Sequence, residues 1–135
     1  MRDHRKLRAF ELADQLALAV YQETRSFPRD ELFGLTAQMR RAGVSIASNI
    51  VEGCARRSEA DYLRFLDIAY GSTRELEYQL TLAARLGYLK EGGASTLIPL
   101  CHETGRVLYG LIRARRAAGA PTETTGVQGP LRFPS

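Results

Sequence analysis

The side chains that could do chemistry in this chain are few and poorly spaced for it. His4 and His102 are the only histidines, and neither sits in the Glu-x-x-His pairing that builds a two-metal site between bundle helices. Cys101, His102 and Glu103 are adjacent, so on a helix they point in different directions and cannot close around one ion. A helical ribonuclease would place an arginine roughly one turn before its histidine, but Ser95, Thr96, Leu97, Ile98 and Pro99 precede His102. No serine is partnered by a base, and no glycine-rich phosphate loop follows a strand. The expectation is a non-enzymatic protein with no metal and no cofactor.

What the chain does carry is arginine. Its 135 residues include 19 Lys or Arg against 15 Asp or Glu, a formal charge of +4, and only Lys6 and Lys90 are lysines. The planar guanidinium fork suits phosphate and carboxylate, so the excess permits nucleic acid or an acidic protein as partner. A GC-rich coding bias would produce the same composition with no functional meaning. Two cysteines, Cys54 and Cys101, are too few for a disulfide scaffold, and residues 2 to 8 are charged with no apolar run behind them. A cytoplasmic protein with free thiols and no leader is therefore expected. No stretch approaches the ~20 apolar residues of a membrane span, so no membrane partner is expected.

Positioning these groups falls to helices. Apolar residues recur at spacings of three and four in four segments, and none alternates as a strand would. The first spans about residues 5 to 26 and ends at Phe27-Pro28. The second starts between Asp30 and Thr36, both plausible N-caps, and carries Leu32, Leu35, Met39, Ala42, Ile46 and Asn49 in register until Gly53 stops it. Beside that stripe lie Gly43, Ala47 and Cys54, small residues that admit a close neighbour. Ser58 and Asp61 resemble a capping box opening the third and longest helix, which Gly87 ends. Pro99 interrupts the fourth pattern, where a mid-helix proline costs ~3 kcal/mol, so a start near Ser95 or Thr96 is expected. The fold class is all-α, an antiparallel up-down four-helix bundle over residues 1–118, one domain for a chain of this length, with residues 119–135 a disordered tail.

Up-down topology gathers charge at one pole: the start of helix one, the end of helix two, the start of helix three and the end of helix four. Arg2, Arg5, Lys6, Arg8, Arg56, Arg57, Arg64, Arg113, Arg115 and Arg116 meet there, against Asp3, Glu11, Glu52, Glu59 and Asp61. The pole is either a solvated end or a phosphate-binding face, and a cyclic oligomer would repeat it around a ring. No aromatic side chain is interleaved with these arginines, which argues for backbone contact rather than base stacking. Helix three has a second stripe that is apolar at both ends and polar in the middle, at Ser72, Glu75 and Gln79. These face Arg40 or Asn49 of helix two within the protomer, or line an axial passage between subunits. A buried Glu75 would need a positive or donor partner.

Residues Leu32 to Thr36, Arg40 to Ala42, Ser45-Ile46, Ser48 to Ile50, Glu52-Gly53, Arg64 to Ser72 and Glu75 to Leu80 together resemble the four-helix-bundle family also called the 23S rRNA intervening-sequence protein family. The resemblance covers about residues 5 to 116. Helix one agrees through Val20-Tyr21, Thr24 and Phe27-Pro28. The family pattern usually has proline at Ala47 and alanine at Gly43 and Val51. The resemblance implies a homopentamer with a central passage. In the branch that includes the accessory variability protein of diversity-generating retroelements, it also implies binding to nucleic acid and to a reverse transcriptase. Wide apolar coverage on helices two and three independently suggests a homo-oligomer, because a bundle core needs only one stripe per helix. The reading is an oligomeric, nucleic-acid-binding or assembly accessory that acts through its basic pole, with DNA or RNA as the candidate partner. The rival is a protein-binding scaffold whose arginines engage an acidic partner.

Overall fold

A computed structural model, describing residues 2–119, turns the periodicity into four helices: α1 (Arg8–Thr24), α2 (Leu35–Cys54), α3 (Glu59–Arg85) and α4 (Glu91–Gly119). Of the expected tail, Gly119 is the last residue of α4, and residues 120–135 lie outside the described residues. The packed pairs are α1–α2, α2–α3, α3–α4 and α1–α4, a closed ring of neighbours; the short connections make the three consecutive pairs antiparallel, and the up-down order then makes α1 and α4 antiparallel too. The axial stripes meet as expected. Leu16 and Val20 of α1, Met39, Ile46 and Ile50 of α2, Leu66, Leu76 and Leu80 of α3, and Leu97, Leu108 and Ile112 of α4 form the buried core. No helix among the described residues is long and apolar enough to cross a membrane.

The ends of the helices depart from expectation in instructive ways. Helix α1 is preceded by a separate 3-10 turn, His4–Lys6, whose Asp3 carboxylate accepts from Arg5 N. Neither Asp30 nor Thr36 caps α2. A 3-10 turn, Arg29–Glu31, brings Glu31 back under the helix instead, and its Oε1 accepts from Leu35 N at 3.0 Å. The other oxygen of Glu31 accepts from Tyr88 Oη at 3.0 Å, which ties the α1–α2 connection to the α3–α4 turn. Leu32 therefore lies ahead of the helix and is exposed, as is its neighbour Phe33. Ser58 caps α3 as expected, accepting from Asp61 N at 3.0 Å, and Gly87 turns the chain out of α3 at φ +81°, in the left-handed region that favours glycine.

Gly53 and Pro99 play other parts than their residue types suggest. Gly53 does not stop α2, which runs on to Cys54. It is there because α3 passes close by: a Cβ at Gly53 would lie 2.9 Å from Phe65 Cβ and 3.3 Å from Tyr62 O. Helix α4 starts at Glu91, not near Ser95, and Pro99 falls inside it. Its first turn is already closed by Ala94 N donating to Lys90 O at 2.8 Å, and buried Gly93 and Leu97 dock this turn onto the bundle. Pro99 is tolerated because it is exposed, so the carbonyl it leaves unpaired at Ser95, also exposed, can be met by solvent. Gly43 is also explained within the protomer. It is buried against α1, where an added Cβ would lie 3.7 Å from Ala17 Cα, so this part of the small-residue stripe is not a free seam for a second subunit.

Candidate functional site

The basic pole assembles as the topology requires, but with far more internal pairing than a count of charges suggests. Arg2 reaches across to the α2–α3 turn, donating to Arg56 O at 2.8 Å and to Glu59 Oε1 at 3.0 Å. Glu59 also accepts a two-point contact from Arg115 at 2.9 and 3.1 Å. The Arg115 guanidinium, with Arg2 behind it, holds the Glu59 carboxyl below its usual range. Arg116 binds Asp67 at 2.6 Å, Arg5 binds Asp3 at 3.0 Å, and Arg8 lies between Glu11 and Glu103. Arg56 and Arg64 lean on Glu52 and Asp61 at 3.6 and 3.8 Å. Among the described residues, Lys6, Arg57 and Arg113 make no ion pair and stand exposed. Arg2, Ala55, Arg56 and Arg57 line a cleft of about 520 Å³ at this end.

Aromatic rings are interleaved with the arginines after all. Arg2 stacks 4.0 Å and Arg115 5.8 Å from the Tyr62 ring, while Arg64 and Arg56 lie 4.7 and 5.1 Å from the Phe65 ring. Helix α3 carries Tyr62 and Phe65 about one and two turns beyond its N-cap, where the α2 C-terminus and the α4 C-terminus converge. Tyr62 is buried and so cannot receive a base. It instead holds two guanidinium planes in place, with Cys54 beneath it. The sequence showed no such contact because Arg2 and Arg115 are far from Tyr62 along the chain.

The five residues expected to form one polar network separate into three groups. Ser72 Oγ meets Ser45 Oγ at 2.9 Å, and Asn49 Nδ2 donates to the same Ser45 Oγ at 3.0 Å, so this bridge does join α2 and α3 inside the protomer. Gln79 Nε2 donates to Glu75 Oε2 at 3.3 Å, but Glu75 is exposed and water meets its need for a partner. Arg40 faces neither of them. It turns to α1, where Nε donates to Thr24 Oγ1 at 2.9 Å and the guanidinium lies 4.7 Å over Tyr21. Of the two candidate partners on α2, Asn49 is therefore joined to Ser72 through Ser45, and Arg40 bonds to none of Ser72, Glu75 and Gln79.

One cluster was not anticipated from the sequence. A groove of about 320 Å³ between α3 and α4 holds Glu77, which takes His102 at 2.6 Å and Arg74 at 3.1 Å beside the tilted Tyr70–Tyr109 pair. Cys101 lies below, its thiol pushed up to about 12 by burial. The pairing of residue 77 with 102 follows only from the α3–α4 register. Among the described residues, no group of three or more His, Cys, Asp or Glu side chains is placed to hold a metal ion.

Comparison with known proteins agrees with this architecture. No curated protein matches the chain. A solved structure of a protein of unknown function, from the S23 ribosomal protein family of Bacteroides thetaiotaomicron, superposes with a TM-score of 0.72 at 24% identity, covering 78% of this chain and 95% of that one. At that identity it speaks for the fold alone. The family model for the 23S rRNA-intervening sequence protein matches residues 5–110, all four helices except the end of α4. This chain therefore belongs to the 23S rRNA-intervening sequence protein family.

Proposed function

We propose that the protein is a non-enzymatic accessory that assembles into a cyclic homo-oligomer, a pentamer as its family resemblance implies, and holds DNA or RNA on the ring face formed by its basic poles. The observation that carries this reading is the exposed, unpaired state of Arg57 and Arg113 among the described residues, with Arg57 lining a cleft together with Arg2, Ala55 and Arg56. The remaining pole arginines are engaged within the protomer, Arg2, Arg56, Arg64, Arg115 and Arg116 by Glu59, Asp67, Tyr62 and Phe65, and Arg5 and Arg8 by Asp3, Glu11 and Glu103. Contacts of this kind reach phosphates and read no base edge, so binding is indifferent to sequence. Assembly is supported by apolar side chains on the outer face of α2 and α3: Val44 and Ile68 are 41% and 42% exposed and flank the Ser45–Ser72 bridge.

Light scattering at micromolar concentration should give a mass several times 15.0 kDa. A monomer would remove the ring. Fluorescence anisotropy with a generic duplex at low salt should show binding that Arg57→Gln with Arg113→Gln weakens, with the mass unchanged. If the parent ignores nucleic acid, the arginines instead suit an acidic protein surface, such as one on a reverse transcriptase, and the scaffold reading replaces this one.

A further inference from the structure

At the pole opposite the basic one, the α1–α2 connection folds over a second cleft, of about 250 Å³. Three guanidinium groups line it, from Arg25, Arg29 and Arg40, and no carboxylate does. Arg25 and Arg29 are exposed and make no ion pair among the described residues. Arg40 is held from behind. Thr24 Oγ1 donates to Val20 O at 2.7 Å and accepts from Arg40 Nε, while the Tyr21 face lies beneath the guanidinium, so its two terminal nitrogens are oriented but unpaired. Phe27 and Leu32 supply apolar walls that reduce the screening of these charges.

Thr36 supplies the independent observation. It is 2% exposed, lines the same cleft, and its Oγ1 has no hydrogen-bond partner. The other buried threonines behave differently: Thr24, Thr73 and Thr104 each donate to the carbonyl four residues back, at 2.7, 2.9 and 2.7 Å. Thr36 lies in the first turn of α2, where the residue four back is Leu32, outside the helix, so that bond is not made. A buried hydroxyl without a partner is costly, and here it sits at the positive end of a 20-residue helix. Glu31 is the nearest capping acid, but its two oxygens are occupied by Leu35 N and Tyr88 Oη.

We infer that this cleft is a binding site for a phosphate-type oxyanion, a dianionic phosphomonoester or inorganic phosphate, held by Arg25, Arg29 and Arg40 and accepting a hydrogen bond from the Thr36 hydroxyl. Three cations, one of them held in place, match a group carrying about −1.5 to −2 charge better than a carboxylate or a phosphodiester. A cleft of this size walled by Phe27 and Leu32 takes a terminal group rather than a through-running strand. The site is independent of the nucleic-acid reading, because none of its residues belongs to the basic pole.

The test is a titration of the full chain with inorganic phosphate at constant ionic strength, followed by 1H–15N NMR at the Thr36 amide and Arg40 Nε–H. Saturable shifts at both are expected. Arg25→Gln with Arg29→Gln, on exposed residues, should weaken binding by about tenfold or more, as loss of charged hydrogen bonds implies. Thr36→Val keeps the shape, removes the hydroxyl, and should weaken binding without loss of the folded spectrum. If that variant does not fold, the arginine pair carries the test alone. Arg57→Gln with Arg113→Gln should bind phosphate like the parent, so failure here and failure at the basic pole are separable. A dinucleotide with a 5′-phosphate that binds more tightly than inorganic phosphate, while its 5′-hydroxyl counterpart does not bind, assigns the source as a nucleic-acid end. Equal or weaker binding assigns free phosphate or a small phosphorylated compound. Shifts that fail to saturate, or an Arg25/Arg29 double variant that binds like the parent, would overturn the site.

Discussion

Gly43 and Gly53 lie ten residues apart on the same helix, both buried, and the bundle geometry predicts opposite responses to the same substitution. At Gly43 an added Cβ meets Ala17 and Val20 at 3.7 Å, ordinary van der Waals contact. Gly43→Ala therefore gains the helix preference of alanine, ~1 kcal/mol, with no strain. At Gly53 the same atom would lie 2.9 Å from Phe65 Cβ, an atom fixed to the α3 backbone that cannot rotate away. Restoring a contact of about 3.5 Å requires α2 and α3 to part by roughly 0.6 Å. Overpacking of this kind costs ~1–3 kcal/mol, which cancels or exceeds the same helix gain. The two variants should differ by about 2 kcal/mol, with Gly43→Ala more stable than the parent. For a urea slope of about 2 kcal/mol/M this is a separation of about 1 M in midpoint. Urea denaturation followed by far-UV circular dichroism, at one protein concentration so that assembly does not bias the comparison, measures it. A Gly53→Ala variant at least as stable as Gly43→Ala would refute the close approach of α2 and α3.

Three further outcomes follow from the same geometry. Cys54 and Cys101 are buried and burial raises both thiols, so neither should react with iodoacetamide in the folded protein at neutral pH, and both should react in urea. They should not form an intrachain disulfide: Cys101 lies level with Thr73, hence near Ser45, and Cys54 is nine residues further along α2, about 14 Å against a limit of ~7 Å, so non-reducing mass analysis should show both reduced. Glu59 has a folded pKa below its unfolded value, so its ion pairs with Arg115 and Arg2 contribute stability that is present above the unfolded pKa and lost as pH falls through the folded one. Glu59→Gln should accordingly flatten the acid limb of a stability-versus-pH curve, and an unchanged limb would mean that the pairs contribute nothing.

The helical stripes and their order were legible because each depends on spacing within one segment, and Ser58 and Gly87 act within a few residues of themselves. Contacts that depend on register between helices were not. Gly53 has the identity of a helix stop, but its role is set by Phe65, and Arg40 could be given a partner only once α1 was seen to lie closer to it than α3 does. The start of α4 was misplaced because the proline penalty assumes a buried, needed hydrogen bond, whereas Pro99 faces solvent. At the basic pole the membership was legible and the pairing was not. Topology alone gathers the arginines, but whether Arg115 is free or bound to Glu59 depends on where α4 ends relative to α3.

The central claim is that exposed arginines at one end of the bundle hold nucleic-acid phosphates, and the salt dependence of binding tests it most directly. Affinity for a generic duplex, measured across a range of potassium chloride concentrations, should fall linearly on logarithmic axes, with ~0.9 in slope for each phosphate neutralised. Arg57→Gln with Arg113→Gln should reduce the slope by up to about 1.8, one phosphate for each arginine, with the oligomeric mass unaltered. A parent that does not bind at low salt, or a variant with the parent's slope, would contradict the account.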